Sequence, residues 1–196
     1  MLKKIGMIGM GMMLLPMTVL ACPVIQVCFT PKSPCTEYIV RAILHARHSI
    51  EMQAYSFTSR EIAEALVQVA SRGVKVRIVL DKTQFAPDNM QSFVPLFLDS
   101  AIHVFCDSKP NIAHNKVLII DQRLVETGSF NYTYAAERYN AENVLLIEDM
   151  ALAEQYEANW QSRVALSTEI TAENFDDRAA LCHANISYKK HKKHWH

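Results

Sequence analysis

The chain has 196 residues, half of them apolar, and its 20 basic and 20 acidic side chains give a formal net charge of zero. A chain of this length and apolar content is expected to form a single domain with its own hydrophobic core. The balanced charge excludes the strongly basic class of proteins that coat nucleic acid, although a local cationic patch around a site is still compatible with it.

The N-terminus has the pattern of a bacterial secretory signal peptide. Lys3 and Lys4 precede an uncharged apolar run over residues 5–21, which ends in small residues before Cys22. We therefore predict that residues 1–21 are removed on export and that the mature chain is periplasmic or secreted. Two alternatives stay open. The run is long enough for an uncleaved membrane anchor, and residues 19–22 approximate a lipoprotein cleavage site, in which case Cys22 would carry lipid.

Five cysteines would remain after such a cleavage: Cys22, Cys28, Cys35, Cys106 and Cys182. Outside the cytoplasm cysteines pair readily, so we expect at least one disulfide among the last four. A zinc site is the competing interpretation, but the chain contains no Cys-x-x-Cys motif. We therefore predict no metal site.

Apolar periodicity and turn residues predict alternating strands and helices through the first half of the chain. A helix begins after Ser33-Pro34, and a capping box from Thr58 to Glu61 begins another, which Gly73 ends. The predicted strands are 23–29, 49–57, 74–80 and 102–106, and the predicted helices are 34–47, 59–72 and one within 84–100. This alternation predicts an α/β sandwich.

A hairpin follows, with strands over 113–121 and 124–131, and then a strand over 143–147 and a helix over 150–164. The first hairpin strand is apolar at every position from Val117 to Ile120. That pattern is typical of a strand buried on both faces, so we predict a mixed sheet flanked by helices on both faces. Residues two apart on a strand share a face. His114 is therefore predicted to lie beside Lys116, and Ser129 beside Asn131.

The pattern weakens after residue 166. We therefore predict a catalytic domain over residues 22–166 and a C-terminal extension over 167–196, which ends in a basic tail of lysines and histidines. Contact of this tail with nucleic acid or anionic lipid is one interpretation, and a solvated tail without a partner is the other.

The hairpin carries groups suited to phosphoryl transfer without a metal. An imidazole can attack phosphorus and hold it covalently, while an ammonium and an amide can stabilise the charge of the transition state. A second, protonated histidine must give a proton to the leaving oxygen. The attacking imidazole also needs a carboxylate to fix its tautomer. Glu142 is the better candidate for this role, because strand alternation turns Glu126 away from the site.

The six fixed residues form the pattern His-x-Lys, four residues, Asp, six residues, Gly-Ser-x-Asn, which resembles the motif of the phospholipase D superfamily. They are His114, Lys116, Asp121, Gly128, Ser129 and Asn131. Segments 54–59, 62–66, 72–82 and 142–144 are similar to the small single-motif bacterial non-specific endonucleases, the Nuc-like branch. The resemblance covers about residues 24–164 and implies a phospholipase D-like fold.

The resemblance implies catalytic roles for His114, Lys116, Ser129, Asn131 and Glu142, with Glu142 orienting the histidine. Ser129 has a second interpretation, in which it only supports its turn. Asp121 and Gly128 are interpreted as structural, and no cofactor is implied.

The leading function is a metal-independent endonuclease that hydrolyses DNA, with RNA as a second substrate, through a phosphohistidine. A cardiolipin-like phospholipid hydrolase is the rival enzyme, with anionic lipid as its substrate. A non-catalytic module that binds nucleic acid or membrane is the third hypothesis. Because one motif supplies one histidine and the mechanism needs two, we predict a homodimer with a composite site.

Overall fold

The computed structural model describes residues 22–183, so the predicted signal peptide and the basic tail lie outside the described residues. An eight-stranded mixed sheet organises the chain, in the order β1-β7-β6-β5-β2-β3-β4-β8. Its strands are β1 Val24–Phe29, β2 Ser49–Ala54, β3 Lys75–Asp81, β4 His103–Asp107, β5 Lys116–Ile120, β6 Leu124–Gly128, β7 Asn143–Glu148 and β8 Thr168–Ile170. The helices are α1 Cys35–Leu44, α2 Arg60–Ser71, α3 Val94–Leu98, α4 Tyr134–Arg138, α5 Met150–Val164 and α6 Arg178–Leu181.

Strands β2, β3 and β4 run parallel, and every other pairing is antiparallel. Helices α1 and α2 pack against each other over one large apolar cluster. Helix α5 covers a second cluster, which is built around Trp160 and Ile119. The predicted α/β class, with helices on both faces of a mixed sheet, is therefore confirmed.

Helix α2 begins one residue later than its predicted capping box. The Ser59 hydroxyl accepts the N–H of Ile62, while the N–H groups of Thr58 and Ser59 both donate to the Tyr132 carbonyl. The capping-box prediction at Thr58 is thus wrong, because a long-range backbone contact takes the place of the local one. Gly73 ends the helix as predicted, at a φ of +89° that favours glycine.

Helix α5 packs on the face of the sheet opposite α1 and α2, and polar contacts to buried groups hold it there. The indole N–H of Trp160 donates to the Met52 carbonyl at 2.9 Å, and the Arg77 guanidinium lies 4.4 Å from the centre of its ring. At the end of the helix, Arg163 forms a two-pronged ion pair with the buried carboxylate of Asp107. These contacts hold one side of α5 along the end of the sheet where the motif residues lie.

Residues 167–183, the described part of the predicted extension, pack as part of the domain. Thr168–Ile170 is the edge strand β8, which pairs antiparallel with β4, and Cys182 is bonded to Cys106 of β4. The boundary predicted at residue 166 therefore separates the sheet from one of its own strands. A strand of three residues is too short to show a reliable two-residue period, which is why the sequence pattern missed it.

Two disulfides link the cysteines for which pairing was expected. Cys28 of β1 is bonded to Cys35 at the start of α1, and Cys106 is bonded to Cys182. Cys22 is exposed and outside both bonds. The expectation of at least one disulfide is confirmed. The first bond ties the edge strand β1 to α1, and the second ties Cys182 to β4.

Candidate active site

Five of the six motif residues meet at one end of the sheet, and three of them, His114, Ser129 and Asn131, lie on loops rather than on a shared strand face. Strand β5 begins at Lys116, so His114 precedes it, and β6 ends at Gly128, so Ser129 and Asn131 follow it. The loop before β5 is held by side-chain hydrogen bonds rather than by backbone pairing with a neighbouring strand. Asp81 accepts the N–H of Ala113 at 2.7 Å. The predicted strand bounds of 113–121 and 124–131 were therefore too long, although the predicted proximity of His114 and Lys116 is correct.

His114 and Lys116 form the centre of this end. The Lys116 ammonium donates to the His114 carbonyl at 2.7 Å and lies 3.0 and 3.1 Å from the two ring nitrogens of His114. Burial lowers the pKa of Lys116, and the nearby carboxylate of Glu142 partly offsets this effect. His114 is exposed, whereas only 6% of Lys116 is accessible. A buried cation thus supports an imidazole that is open to solvent.

Tyr55 completes this centre and was missed as a site residue in the sequence. Its ring lies 4.7 Å from the His114 ring and 5.4 Å from the Lys116 ammonium. The available signal was the Ala54-Tyr55-Ser56-Phe57 segment, which resembles the endonucleases, since β2 delivers Tyr55 to the same end as β5.

Glu142 contacts Ser129 rather than His114. The Ser129 hydroxyl donates to the Glu142 carboxylate at 2.5 Å, and the Asn140 side-chain amide donates to the same carboxylate at 2.9 Å. Ser129 also accepts the backbone N–H of Asn143 at 3.1 Å. No hydrogen bond among residues 22–183 joins Glu142 to His114 of the same chain. The predicted orientation of the imidazole by Glu142 is therefore not made within one subunit.

Gly128 and Asn131 frame the loop that carries Ser129. A Cβ on Gly128 would lie 2.1 Å from the Asn143 carbonyl oxygen, so the close approach of β7 requires glycine here. The side-chain oxygen of Asn131 is buried, and no described group hydrogen bonds to it. Asn131 does not line the cleft beside His114.

Asp121 lies at the opposite end of the sheet, in the turn between β5 and β6. Its carboxylate accepts the backbone N–H groups of Arg47, His48 and Ser49 at 2.7–3.2 Å. Burial opposes the ionisation of this carboxyl, but those hydrogen bonds outweigh it and lower its pKa. Asp121 thus joins the turn to the start of β2, far from His114.

An open cleft of about 570 Å³ runs from His114 and Lys116, across the end of strands β5 and β6, to helix α5. Helix α5 contributes Gln155, Tyr156 and Asn159 to its wall. Gln53 connects the two sides, because it accepts from Asn115 at 2.6 Å and donates to Asn159 at 3.3 Å. No residue of this helix was predicted from the sequence to be part of the site. Between residues 22 and 183, no three His, Cys, Asp or Glu side chains are arranged to hold a metal ion.

Glu126 is buried away from the cleft. The Tyr132 hydroxyl donates to one of its carboxylate oxygens at 2.6 Å, and the other oxygen has no hydrogen-bond partner among the described groups. Burial raises the pKa of this carboxyl to about 8. Glu126 is thus a protonated group at neutral pH that fixes the loop after Asn131, in keeping with the choice of Glu142 over it.

This burial predicts a specific dependence of stability on pH. The pKa of Glu126 is about 8 in the folded chain against an ordinary 4.5, so folding takes up a proton between these values. The free energy of unfolding should fall as pH rises from 4.5 to 8, by about 1.4 kcal/mol per unit for this group, and then level off. Glu126→Gln should lack this slope in chemical denaturation measured across that range.

Glu154→Gln, on the exposed side of α5, is the matched control and should keep the wild-type slope. If the free energy of unfolding changed with pH in the same way for wild type and Glu126→Gln, the carboxyl would ionise normally in the folded protein.

The comparison with known proteins agrees with this geometry. Residues 39–164 match the family model described as cardiolipin synthase, PLD-like domain. The chain is 47% identical to a phospholipase D of Rickettsia prowazekii over 148 residues, which is 74% of this chain and 70% of the relative. It is 35% identical over 127 residues to the human mitochondrial cardiolipin hydrolase, which is 63% of this chain and 50% of that protein.

Two solved bacterial structures have the same fold over nearly their whole length. Nuc from Salmonella typhimurium, a phospholipase D family member, superimposes with a TM-score of 0.70 at 37% identity, covering 76% of this chain and 99% of Nuc. NucT from Helicobacter pylori gives a TM-score of 0.69 at 26% identity, with the same coverage. Given the family match, the relatives and the motif geometry, the chain belongs to the phospholipase D superfamily of phosphodiester hydrolases.

Proposed function

We propose that this protein is an endonuclease that hydrolyses DNA, with RNA as a second substrate, through a phosphohistidine intermediate. The observation that carries the proposal is the exposed His114 imidazole held against the buried ammonium of Lys116 at the mouth of a cleft. The imidazole is open to an incoming phosphate, and the ammonium is placed to bind that phosphate's oxygens.

The reaction proceeds in two displacements. A ring nitrogen of His114 attacks phosphorus, so a nitrogen–phosphorus bond forms while the bond to the leaving oxygen breaks. A protonated second histidine gives its proton to that oxygen and is left neutral. It then takes a proton from water, which attacks the phosphohistidine and releases the second product with His114 restored. Lys116 stabilises the charge on phosphorus oxygens in both steps.

The second histidine comes from a second copy of the chain. Two other histidines of the described chain, His103 and His183, do not line the cleft. His103 is at the start of β4, where it bonds Glu169 at 2.8 Å, and His183 follows Cys182. A two-fold pair that brings His114 of the partner subunit to the same phosphate supplies the missing acid. A homodimer with one composite site is therefore part of the proposal.

Such a pair gives Glu142 a catalytic role. The attacking and donating imidazoles each need a carboxylate to fix the tautomer. Within one subunit the Glu142 carboxylate accepts from Ser129 and Asn140, and its backbone bonds Thr30. We propose that its carboxylate orients His114 of the partner subunit. Ser129 then positions Glu142, which gives the serine a role through its hydrogen bond.

Aromatic and cationic side chains near the site favour nucleic acid as substrate. Helix α4 begins three residues after Asn131 and exposes 57% of Tyr134, with Tyr139 exposed by 74% just beyond the helix. Their rings lie 5.8 Å apart, and the Arg138 guanidinium lies 5.9 Å from the Tyr134 ring. Exposed rings next to a guanidinium are suited to stacking on bases and pairing with phosphates.

Phospholipid hydrolysis is the second candidate. The relatives at 47% and 35% identity are named phospholipase D and mitochondrial cardiolipin hydrolase. The loops near the catalytic residues also expose Met90 and Ile112, at 91% and 46%, which could contact acyl chains. The catalytic groups would be the same for both substrates, so only the substrate distinguishes the two functions.

We also propose that residues 1–21 are an export signal and that the mature protein is periplasmic or secreted. The two disulfides support this proposal, because such bonds persist in oxidising compartments. A lipid on Cys22 would retain the exported chain at a membrane.

The test compares substrates in the presence of excess chelator. Purified protein is incubated with plasmid DNA, RNA and phospholipid vesicles, and products are followed by gel electrophoresis and by release of headgroup. We expect nucleic-acid cleavage to persist in chelator, since the motif supplies nucleophile and charge stabilisation from side chains. Cleavage that disappears with chelator and returns with Mg²⁺ would overturn the metal-free mechanism. Release of headgroup without nucleic-acid cleavage would select the lipid enzyme.

A further inference from the structure

A second cleft, of about 690 Å³, opens at the end of the sheet opposite His114, and we call it the basal cleft. It lies on the α1 side, between the end of that helix, the turn that follows β5 and the beginning of β1. Its lining includes three arginines and two histidines, all exposed: Arg41, His45, Arg47, His48 and Arg123.

The acidic groups of the basal cleft are already engaged. Asp121 is held by three backbone N–H groups, and Glu148 bonds Arg123 at 2.9 Å. No ion pair within residues 22–183 involves Arg47, and the pair of Arg41 with Glu37 is long and exposed, at 3.4 Å. The guanidinium groups of Arg47 and Arg41 are therefore suited to phosphate, which they bind through paired N–H donors.

Exposed aliphatic side chains lie beside these cations. The edge strand β1 begins at the basal cleft, where Val24 lines the wall and is 65% exposed, and Ile25 is 59% exposed. The apolar run over residues 5–21 ends just before this strand. The N-terminal segment, whether retained or replaced by a lipid on Cys22, therefore joins the fold at the basal cleft.

We infer that the basal cleft and the start of β1 bind the surface of a bilayer that contains anionic phospholipid. The arginines contact headgroup phosphates, while Val24 and Ile25 enter the interface between headgroups and acyl chains. Nucleic acid would also present phosphates, but the exposed apolar residues here are aliphatic and do not stack on bases. The combination of cations, aliphatic groups and the chain's point of entry thus favours a membrane.

Docking at the basal cleft would orient the catalytic site away from the membrane. Such docking does not depend on the proposed substrate. The basal cleft and His114 are separated by the length of the central strands. The six residues of β2 span about 20 Å. A two-fold axis parallel to the strands would place both catalytic ends on one side of the dimer and both basal clefts on the other. The enzyme would then lie on a membrane with its catalytic cleft open to soluble phosphodiesters.

Vesicle binding tests the inference. Purified protein, with its N-terminus defined by mass spectrometry, is sedimented with vesicles of phosphatidylcholine alone or mixed with phosphatidylglycerol. We expect preference for the mixed vesicles, and a loss of about 25-fold in affinity for Arg41→Ala/Arg47→Ala, the basal pair, at about fivefold for each arginine. Arg41→Lys/Arg47→Lys should retain most of the binding. Because all variants share one N-terminus, its contribution cancels.

Arg60→Ala removes the same kind of charge at the catalytic end and should bind vesicles like wild type. Equal binding to both vesicle types, or equal losses for Arg60→Ala and the basal pair, would overturn the inference. So would weaker binding of an oligonucleotide by the basal pair in the inactive His114→Ala background, which would make the cleft a nucleic-acid site. Hydrolysis of a soluble substrate by the basal pair should match wild type, whatever that substrate proves to be.

Discussion

Replacing His114 by alanine should lower turnover of any phosphodiester substrate by at least about 10³-fold, because the nucleophile that forms the covalent intermediate is lost. His114 is exposed, and within residues 22–183 its ring contacts Tyr55 and Lys116, so the variant should fold normally. The measurement is initial rate at saturating substrate, together with trapping of radiolabelled phosphate on the denatured enzyme. Wild type should carry acid-labile label, and His114→Ala should carry none.

Lys116→Ala should lose activity to a similar degree, since the buried ammonium is the group placed to stabilise charge on phosphorus oxygens. Lys75→Ala is its control, because Lys75 is an exposed lysine at the opposite end of β3. Near-normal turnover by either motif variant, or a comparable loss in Lys75→Ala, would place the chemistry elsewhere.

Glu142→Gln should slow the reaction by about 10²-fold while preserving the fold, because the amide oxygen can still accept from Ser129 but no longer carries charge to hold an imidazole. A pH–rate profile separates this effect from a structural one. Loss of the carboxylate should shift the pH at which the rate changes with histidine ionisation. A damaged loop would instead lower the rate by the same factor at every pH. Glu154→Gln should leave both rate and profile unchanged.

The two glutamates near the motif can be compared directly. Glu126→Gln should retain activity, since its carboxyl is buried against Tyr132 and outside the cleft. If Glu126→Gln were inactive and Glu142→Gln active, the orienting role would have been assigned to the wrong glutamate.

The sequence pattern correctly predicted that His114 lies beside Lys116, but the local structure given as the reason was wrong. Shared strand parity was the reason given, yet β5 begins only at Lys116. The side chains meet because the Lys116 ammonium folds back onto the His114 carbonyl and ring. A local period of two cannot distinguish a strand from a loop that side chains such as Asp81 hold in an extended form.

Long-range contacts explain what the sequence did not predict. The cleft wall on α5 depends on Trp160 reaching the Met52 carbonyl and on Asn159 reaching Gln53, pairs separated by more than 100 residues. Strand β8 exists because β4 offers it an edge. None of these partners can be identified from a local pattern. The helix over 150–164 was predicted with its observed bounds, because the signals that define it, including the Asp149 cap on Leu152, are local.

The composite site is the central claim, and subunit mixing tests it most directly. Wild-type and His114→Ala chains are unfolded together, refolded at several ratios and assayed for phosphodiester hydrolysis. If both histidines of a dimer serve one phosphate, an equal mixture contains about a quarter wild-type dimers, and activity per wild-type subunit falls to about half. It should decline in proportion to the wild-type fraction at every ratio. Constant activity per wild-type subunit, or an active species that sediments as a monomer, would contradict the composite site.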